Sequence, residues 1–300
     1  MTYVTSSAMM SDAASAPAER PARPVIEFMR AYARNRSALL GLVLLLLVLA
    51  VTFIGPLLYR VNPYDMVEMP FAPPGSESVP FGTDYLGRDI LAGIIQGGRA
   101  TLAVGTTSAA ISVVIGILVG AFAGFFGGAI DAVLTKITEF FQILPPLLLA
   151  MVLVTVFGPT LLTISLSIGI VSWPQVARLA RAEFLKIKQL DYVSAARTAG
   201  AREAYLIFRV ILPAALPPLV VAAGLAVGAA ILFEAGLSFL GLGDPNVMSW
   251  GLIIGQNRDY LFDAWWTVTL PGIAIFITVL AISLVGDGIN DALNPRLRKR

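Results

Sequence analysis

Two absences narrow the chemistry open to this chain. Its 300 residues contain neither His nor Cys, which removes imidazole acid–base work, thiolate nucleophiles, disulfides and Cys/His metal sites together. Any catalysis would fall to carboxylates, hydroxyls or lysine. No Gly-x-x-x-x-Gly-Lys-Ser/Thr occurs either, so the usual loop for cradling nucleotide phosphates is missing. Three groups stand out among what remains. Glu234 is a carboxylate at the end of an apolar run, and an intramembrane carboxylate is a candidate proton or substrate site. Asp84, Arg88 and Asp89 crowd a Gly-flanked segment, which suits docking contacts with another protein and an internally paired, capped loop equally. Ala195 and Ala196, between Asp191 and Gly200, would form a small-residue knob that another protein's groove could admit closely. A solvated connector is the plain alternative for that stretch.

The elements that must position these groups are membrane helices. Apolar residues make up 57% of the chain and charged ones only 13%, with a mean hydropathy of +0.81. A soluble fold could not cover that balance with polar surface, so an ordinary globular enzyme is excluded. Charge-free runs at 37–59, 100–130, 140–177, 210–233 and 264–286 each exceed the roughly 20 residues a spanning helix needs. The run 140–177 would extend about 57 Å as one helix, nearly twice the hydrocarbon core, so it must turn back. Phe157-Gly158-Pro159-Thr160 is the turn signal, with Gly to stop one helix and Pro to begin the next. Six transmembrane helices follow, at 37–59, 100–126, 130–157, 160–180, 212–238 and 266–287. The first run could be a cleavable signal, but 36 residues precede it and an anchor is the better reading. Residues 1–24, rich in Ala, Ser and Pro, read as a disordered tail.

Orientation follows from the basic residues. With the N-terminus inside, sixteen Lys and Arg fall on inner segments and four (Arg60, Arg88, Arg99, Arg258) on outer ones, leaving Lys136 to snorkel near an inner helix end. Both termini and the 181–213 loop are then cytoplasmic. In that loop Asp191 is expected to cap a helix over 192–198, Gly200 to stop it in a left-handed turn, and a second helix to run from Arg202 to about Ile211, ahead of Pro213. Glu234 falls about 32 Å beyond Pro213, at the outer interface rather than the midplane, which favours a structural or outer-gate role satisfied by nearby polar groups. Pro145, Pro146 and Pro174 read as bends without a site, and Trp265 and Trp266 as interfacial anchors.

Ser194-Ala195-Ala196-Arg197-Thr198-Ala199-Gly200, followed after nine residues by Val210-Ile211-Leu212-Pro213, resembles the EAA loop of ABC importer permeases. Ser194 stands where that pattern has Glu, which puts any ion pair made by the Glu in doubt, and Val210 stands where it has Ile. Phe81-Gly82-Thr83-Asp84-Tyr85-Leu86-Gly87-Arg88-Asp89, the run Glu234 to Gly243, Trp250-Gly251 and the run Gly286 to Pro295 are similar to signatures of the C-type (second) permease subunit of dipeptide, oligopeptide and nickel importers. Asn290 and Asn294 depart from the last of these.

The resemblance implies an all-α, type I ABC importer permease fold of five core helices plus one N-terminal helix, in the bacterial inner membrane. It divides the chain into a tail at 1–36, a first helix and outward loop at 37–99, a permease core at 100–290 and a basic tail at 291–300. Expected partners are a homologous second permease subunit, two ATPase subunits forming a heterodimer, a periplasmic or lipid-anchored binding protein, and the bilayer; no nucleic acid is expected. No cofactor is expected in this chain, since ATP and Mg would sit on the ATPase subunits. Ser194, Ala195, Ala196, Gly200, Leu212 and Pro213 would meet those subunits, and Asp84, Arg88 and Asp89 would face the binding protein. Di- or oligopeptides are the expected cargo, with nickel chelates, glutathione or opine-like compounds as alternatives. A standalone ion-coupled carrier would need a midplane charge and inverted repeats, neither of which is seen. A non-transporting scaffold is disfavoured by the long polar loop 181–213.

Overall fold

The computed structural model describes residues 24–75 and 78–293, and every regular element among them is helical. Most of the expected tail, including Arg20 and Arg23, lies outside the described residues, as do Arg296, Arg298, Lys299, Arg300 and the end of the Gly286–Pro295 motif. The helices are α1 (Pro24–Arg34), α2 (Arg36–Phe53), α3 (Gly55–Leu58), α4 (Ile90–Phe126), α5 (Gly128–Ile143), α6 (Pro146–Phe157), α7 (Leu161–Lys188), α8 (Asp191–Thr198), α9 (Glu203–Tyr205), α10 (Leu212–Phe239), α11 (Trp250–Asn257) and α12 (Trp266–Leu293). A stretch of π-helix, Leu206–Ile211, joins α9 to α10 without a break.

Among the described residues, four helical runs are long and apolar enough to cross a membrane: Arg36–Phe53, Ile90–Phe126, Glu203–Phe239 and Trp266–Leu293. A fifth is counted if α5 and α6 form one broken span. The expected six is therefore reduced to four or five by this measure. The helix left out is α7, whose apolar run is diluted by Thr163, Ser165, Ser167, Ser172 and Gln175.

Several expected boundaries move. The end of the expected 1–36 tail is helical, as α1, and α12 continues to Leu293, into the expected C-terminal tail. α4 starts at Ile90, ten residues before the expected position, so a boundary at 99/100 cuts a continuous helix. Arg99 interrupts the apolar run there but not the helix. Its guanidinium reaches the Thr52 and Phe53 carbonyls at the frayed end of α2 and covers the Phe53 ring at 5.8 Å. The single expected helix 130–157 is two helices bent by 82° at Leu144-Pro145. Proline here does more than bend: it cannot donate to the preceding turn, and it holds Leu144 in an extended conformation.

The tightest pairing is α4 on α7, along a stripe of small residues. A Cβ on Gly116 would fall 2.6 Å from Val176 Cβ, and one on Gly124 2.7 Å from Phe184 Cβ. Only bare backbone lets the two helices approach so closely, the usual way membrane helices gain contact when lipid is as apolar as their own side chains. α10 lies against α4 and α12, α2 packs on α12 and α4, and α1 packs on α12.

Candidate functional site

The loop between α7 and α10 is built on a buried hydrophobic cluster. α8 begins at Asp191, with Leu190 in the capping position and no side-chain cap, so Asp191 is the first helical residue rather than the cap it was expected to be. Its carboxylate still favours the positive end of the helix dipole, and Arg197 the negative end. Gly200 adopts φ +87° and ends the helix as the sequence implies, and Ala201 N–H donates to the Ala196 carbonyl at 3.1 Å. Val193 is fully buried among Phe125, Phe184, Ile187, Leu206 and Ile207, with Ala196 and Leu212 packed on the same cluster. Lys188 and Arg197 both lie over the Phe125 ring at 5.8 Å, and Lys188 also donates to the Phe125 carbonyl. α8 is thereby riveted to the end of α4.

Along and just past α8, small Ser194, Ala195 and Gly200 are exposed together with Asp191, Arg197 and Thr198, and are flanked by Tyr192 and, further along, Tyr205 and Phe208, each about half exposed. Ser194 makes no ion pair; its carbonyl accepts from the Thr198 hydroxyl at 3.0 Å. Pro213 is exposed on α10, and the helix expected to stop ahead of it runs on through the π-helical turn.

At the opposite face, Asp84 and Arg88 are spent on each other, on backbone and on Gln256, and Asp89 on backbone and Tyr59. Asp84 accepts from the Leu86 and Arg88 amides at 2.8 Å and pairs with the Arg88 guanidinium at 2.6 Å, while Arg88 also reaches Gln256 at 2.7 Å. Asp89 caps α4 through Leu91 N at 2.7 Å and accepts from the Tyr59 hydroxyl. Both carboxylates are buried. Burial first, then the bond to Asp89 and its charge, push the Tyr59 phenol well above its ordinary range. Gly87, at φ +80°, lets the loop pass directly under the Glu68 carbonyl, where a Cβ would collide. The geometry is that of an internally paired loop. Trp266, expected as an interfacial anchor, is instead buried and donates to the Thr83 carbonyl at 3.1 Å, leaving only Trp265 exposed.

Glu234 is buried near the end of α10. Its Oε1 accepts from the Ser238 and Ser249 hydroxyls, each at 2.8 Å, while Oε2 has no hydrogen-bond partner. Gly251 makes room for it, since a Cβ there would fall 2.8 Å from Oε2.

A cavity of about 560 Å³ lies between α4, α7, α10 and the α5–α6 break, and Pro146 and Pro174, read from the sequence as bends without a site, are part of its lining. Ser108, Ser112, Gln142 and Arg178 line it, with apolar walls that include Phe141 and Phe233. A smaller cavity of about 250 Å³ shares Gln142 and Arg178 and is bordered by Arg181, which pairs with Asp131 at 2.6 Å. The sequence carries no cue for it, because hydroxyls in apolar helices ordinarily turn back onto their own backbone.

Residues 116–299 match the family model of the "binding-protein-dependent transport system inner membrane component", and residues 24–74 match the "N-terminal TM domain of oligopeptide transport permease C". The di/tripeptide transport system permease protein DppC of Pseudomonas aeruginosa is 40% identical over 95% of this chain and 97% of its own length. The dipeptide transport system permease protein DppC of Escherichia coli is 41% identical over 93% and 95%. Among solved structures, an inward-facing MetNI methionine ABC transporter aligns with a TM-score of 0.57 and 23% identity, covering 67% of this chain and 96% of that one, a likeness of fold. A multi-pass helical chain that carries an exposed small-residue helix on one face, and matches over nearly its whole length, belongs to the family of binding-protein-dependent transport system inner membrane components.

Proposed function

We propose that this chain is one of two permease subunits of an ATP-driven importer for di- and oligopeptides, and that α8 is its contact with separate ATPase subunits. The observation that carries this reading is the surface of α8: exposed Ser194, Ala195 and Gly200 on a short helix whose other face is locked to α4 and α7 through Val193 and Phe125. A groove on another protein can close on such a knob, and motion imposed on it is passed to α4 and α7 rather than lost in a floppy loop. The peptide cargo is supported by the names of the relatives, which cover nearly all of the chain.

In this reading α7 is the sixth span, because α4 accompanies it over most of its length. The termini and α8 face the cytoplasm of a bacterial inner membrane, as the distribution of Lys and Arg favours. ATP and Mg are held by the ATPase subunits, this chain contributing no phosphate loop of its own. A homologous permease and an extracytoplasmic binding protein complete the assembly, with the latter resting on the outer loops whose shape the Asp84–Arg88 pair maintains. Gentle extraction of the tagged chain from its native membrane, followed by mass spectrometry of what accompanies it, tests the assignment. One homologous permease and two ATPase subunits are expected. Recovery of a homo-oligomer that transports on its own would overturn it.

A further inference from the structure

Buried hydroxyls on the helices of this chain mostly satisfy themselves. Thr138, Ser165 and Thr278 each donate to the carbonyl four residues earlier at 2.7–2.8 Å. Ser108 and Ser112 do not: both are buried, both line the larger cavity, and neither hydroxyl has a partner. Gln142 Nε2, on the same cavity beside the α5–α6 break, is also buried and unpartnered. Three orphaned polar atoms around one space are costly unless something pairs with them. Ser108 and Ser112 are four residues apart on α4 and so share a face, near the middle of that 37-residue helix.

One charge completes the lining. Arg178, an exposed residue, borders both cavities and, among the described residues, forms no ion pair or hydrogen bond, whereas neighbouring Arg181 is committed to Asp131 and nearby Glu139 to Lys136. An unpaired guanidinium beside a membrane cavity is a receptor for a carboxylate. An acyl chain would fill the space but leave all three polar atoms orphaned and the cation unpaired. A short peptide would not. Its amides and carbonyls can meet hydroxyls and a carboxamide whatever its side chains are, its terminal carboxylate can meet Arg178, and the volume suits a ligand of that size.

We infer that this cavity is a transit site in which Ser108, Ser112 and Gln142 bind the main chain of a short peptide and Arg178 its terminal carboxylate. The permease itself then reads the features common to all short peptides. This inference rests on the peptide-import reading above.

The test is the complete importer, with both permeases, the ATPase subunits and the binding protein, reconstituted in proteoliposomes and supplied with radiolabelled dialanine. Uptake and ATP hydrolysis are measured together for Arg178→Gln, Arg178→Lys and the Ser108→Ala/Ser112→Ala double variant. Arg178→Gln and the serine double variant are expected to lower uptake about tenfold, the scale of one lost charge-assisted bond or two neutral ones, while ATP hydrolysis stimulated by the loaded binding protein changes less than about twofold. Arg178→Lys is expected to recover much of the uptake. Unchanged uptake in both variants, or parallel loss of uptake and hydrolysis in all three, overturns the transit site and leaves the importer standing. A wild-type complex that hydrolyses ATP but moves no peptide overturns the peptide reading and the transit site with it.

Discussion

Replacing Gly120 by Ala should separate α4 and α7, the two helices against which α8 packs. The methyl group would lie 2.7 Å from Ala180 Cβ and 2.8 Å from Arg181 N, and closer still to the Ala177 carbonyl oxygen. Carbon atoms rest at about 3.5–4.0 Å, so the overlap is near 1 Å. Two of the three atoms it meets are backbone, which cannot swing aside as a side-chain end would. Relief therefore requires α4 and α7 to part, and a gap of about 0.5–1 Å forfeits a quarter to a half of each contact along the seam. Overpacking of this kind costs about 1–3 kcal/mol, with the upper end fitting a backbone collision. The intrinsic preference of helices for Ala over Gly returns about 1 kcal/mol, leaving a net loss of about 2 kcal/mol. Gly236, in α10, is the control, since nothing lies within 4 Å of a Cβ placed there. Thermal unfolding of the purified complex is the assay. Gly120→Ala is expected to melt about 4–8 °C lower, and Gly236→Ala no lower than the parent. If the two variants melted together within about 1 °C, the close α4–α7 seam would be refuted.

Three further outcomes are expected. Ala195→Glu, on the exposed side of α8, should abolish ATP-coupled uptake while membrane insertion and fold are kept; normal uptake at normal abundance would sink the coupling surface. Ala196 is the poorer probe because it packs against the buried cluster. Glu234→Gln preserves an acceptor for Ser238 and Ser249 and should retain transport, whereas Glu234→Leu orphans both hydroxyls and should cost about 2–4 kcal/mol, read as a lower melting temperature; loss of transport in the Gln variant would mean the charge itself is needed. Tyr59→Phe removes the donor to Asp89. The raised phenol pKa means this bond contributes fully below the ordinary phenol value of about 10 and is lost as pH climbs past it, so the parent's stability advantage over Tyr59→Phe should be present at neutral pH and shrink in alkali. A gap independent of pH would refute that pairing.

Much of the fold was legible because charge is the strongest signal in a membrane chain. Long charge-free runs located α2, α6, α10 and α12, and Gly158 and Gly200, both at positive φ, ended helices where expected. The errors came where a residue's partner lay elsewhere in space. Arg99 looked like a helix boundary because it ends a charge-free run, yet its guanidinium donates hydrogen bonds to carbonyls of α2. Trp266 looked interfacial because it follows Asp263 at the start of an apolar run, yet its indole N–H is held by Thr83. Pro145 was visible as a disruption, but whether proline bends a helix or breaks it depends on what surrounds the freed backbone, and sequence does not show that. The coupling loop was found because its pattern is local. The cavity was not, because an orphaned hydroxyl and a satisfied one are both written as serine.

From Glu203 to Phe239 the chain runs as one helical rod of 37 residues, about 55 Å from end to end. Its near end bears Tyr205 and Phe208 beside α8, and its far end holds Glu234 and Ser238 against α11. No loop interrupts it to absorb a displacement. In the proposed importer it would act as a lever with its fulcrum among the helices it crosses: a tilt of about 5° would shift each tip by roughly 2.4 Å, in opposite directions. The π-helical turn, Pro213 and the in-helix pair Pro217 and Pro218 would set how much of that torque is lost as flexure. A push received at one membrane face would arrive at the other with its sign reversed, so closing on one side and opening on the opposite side become a single movement of one piece of chain.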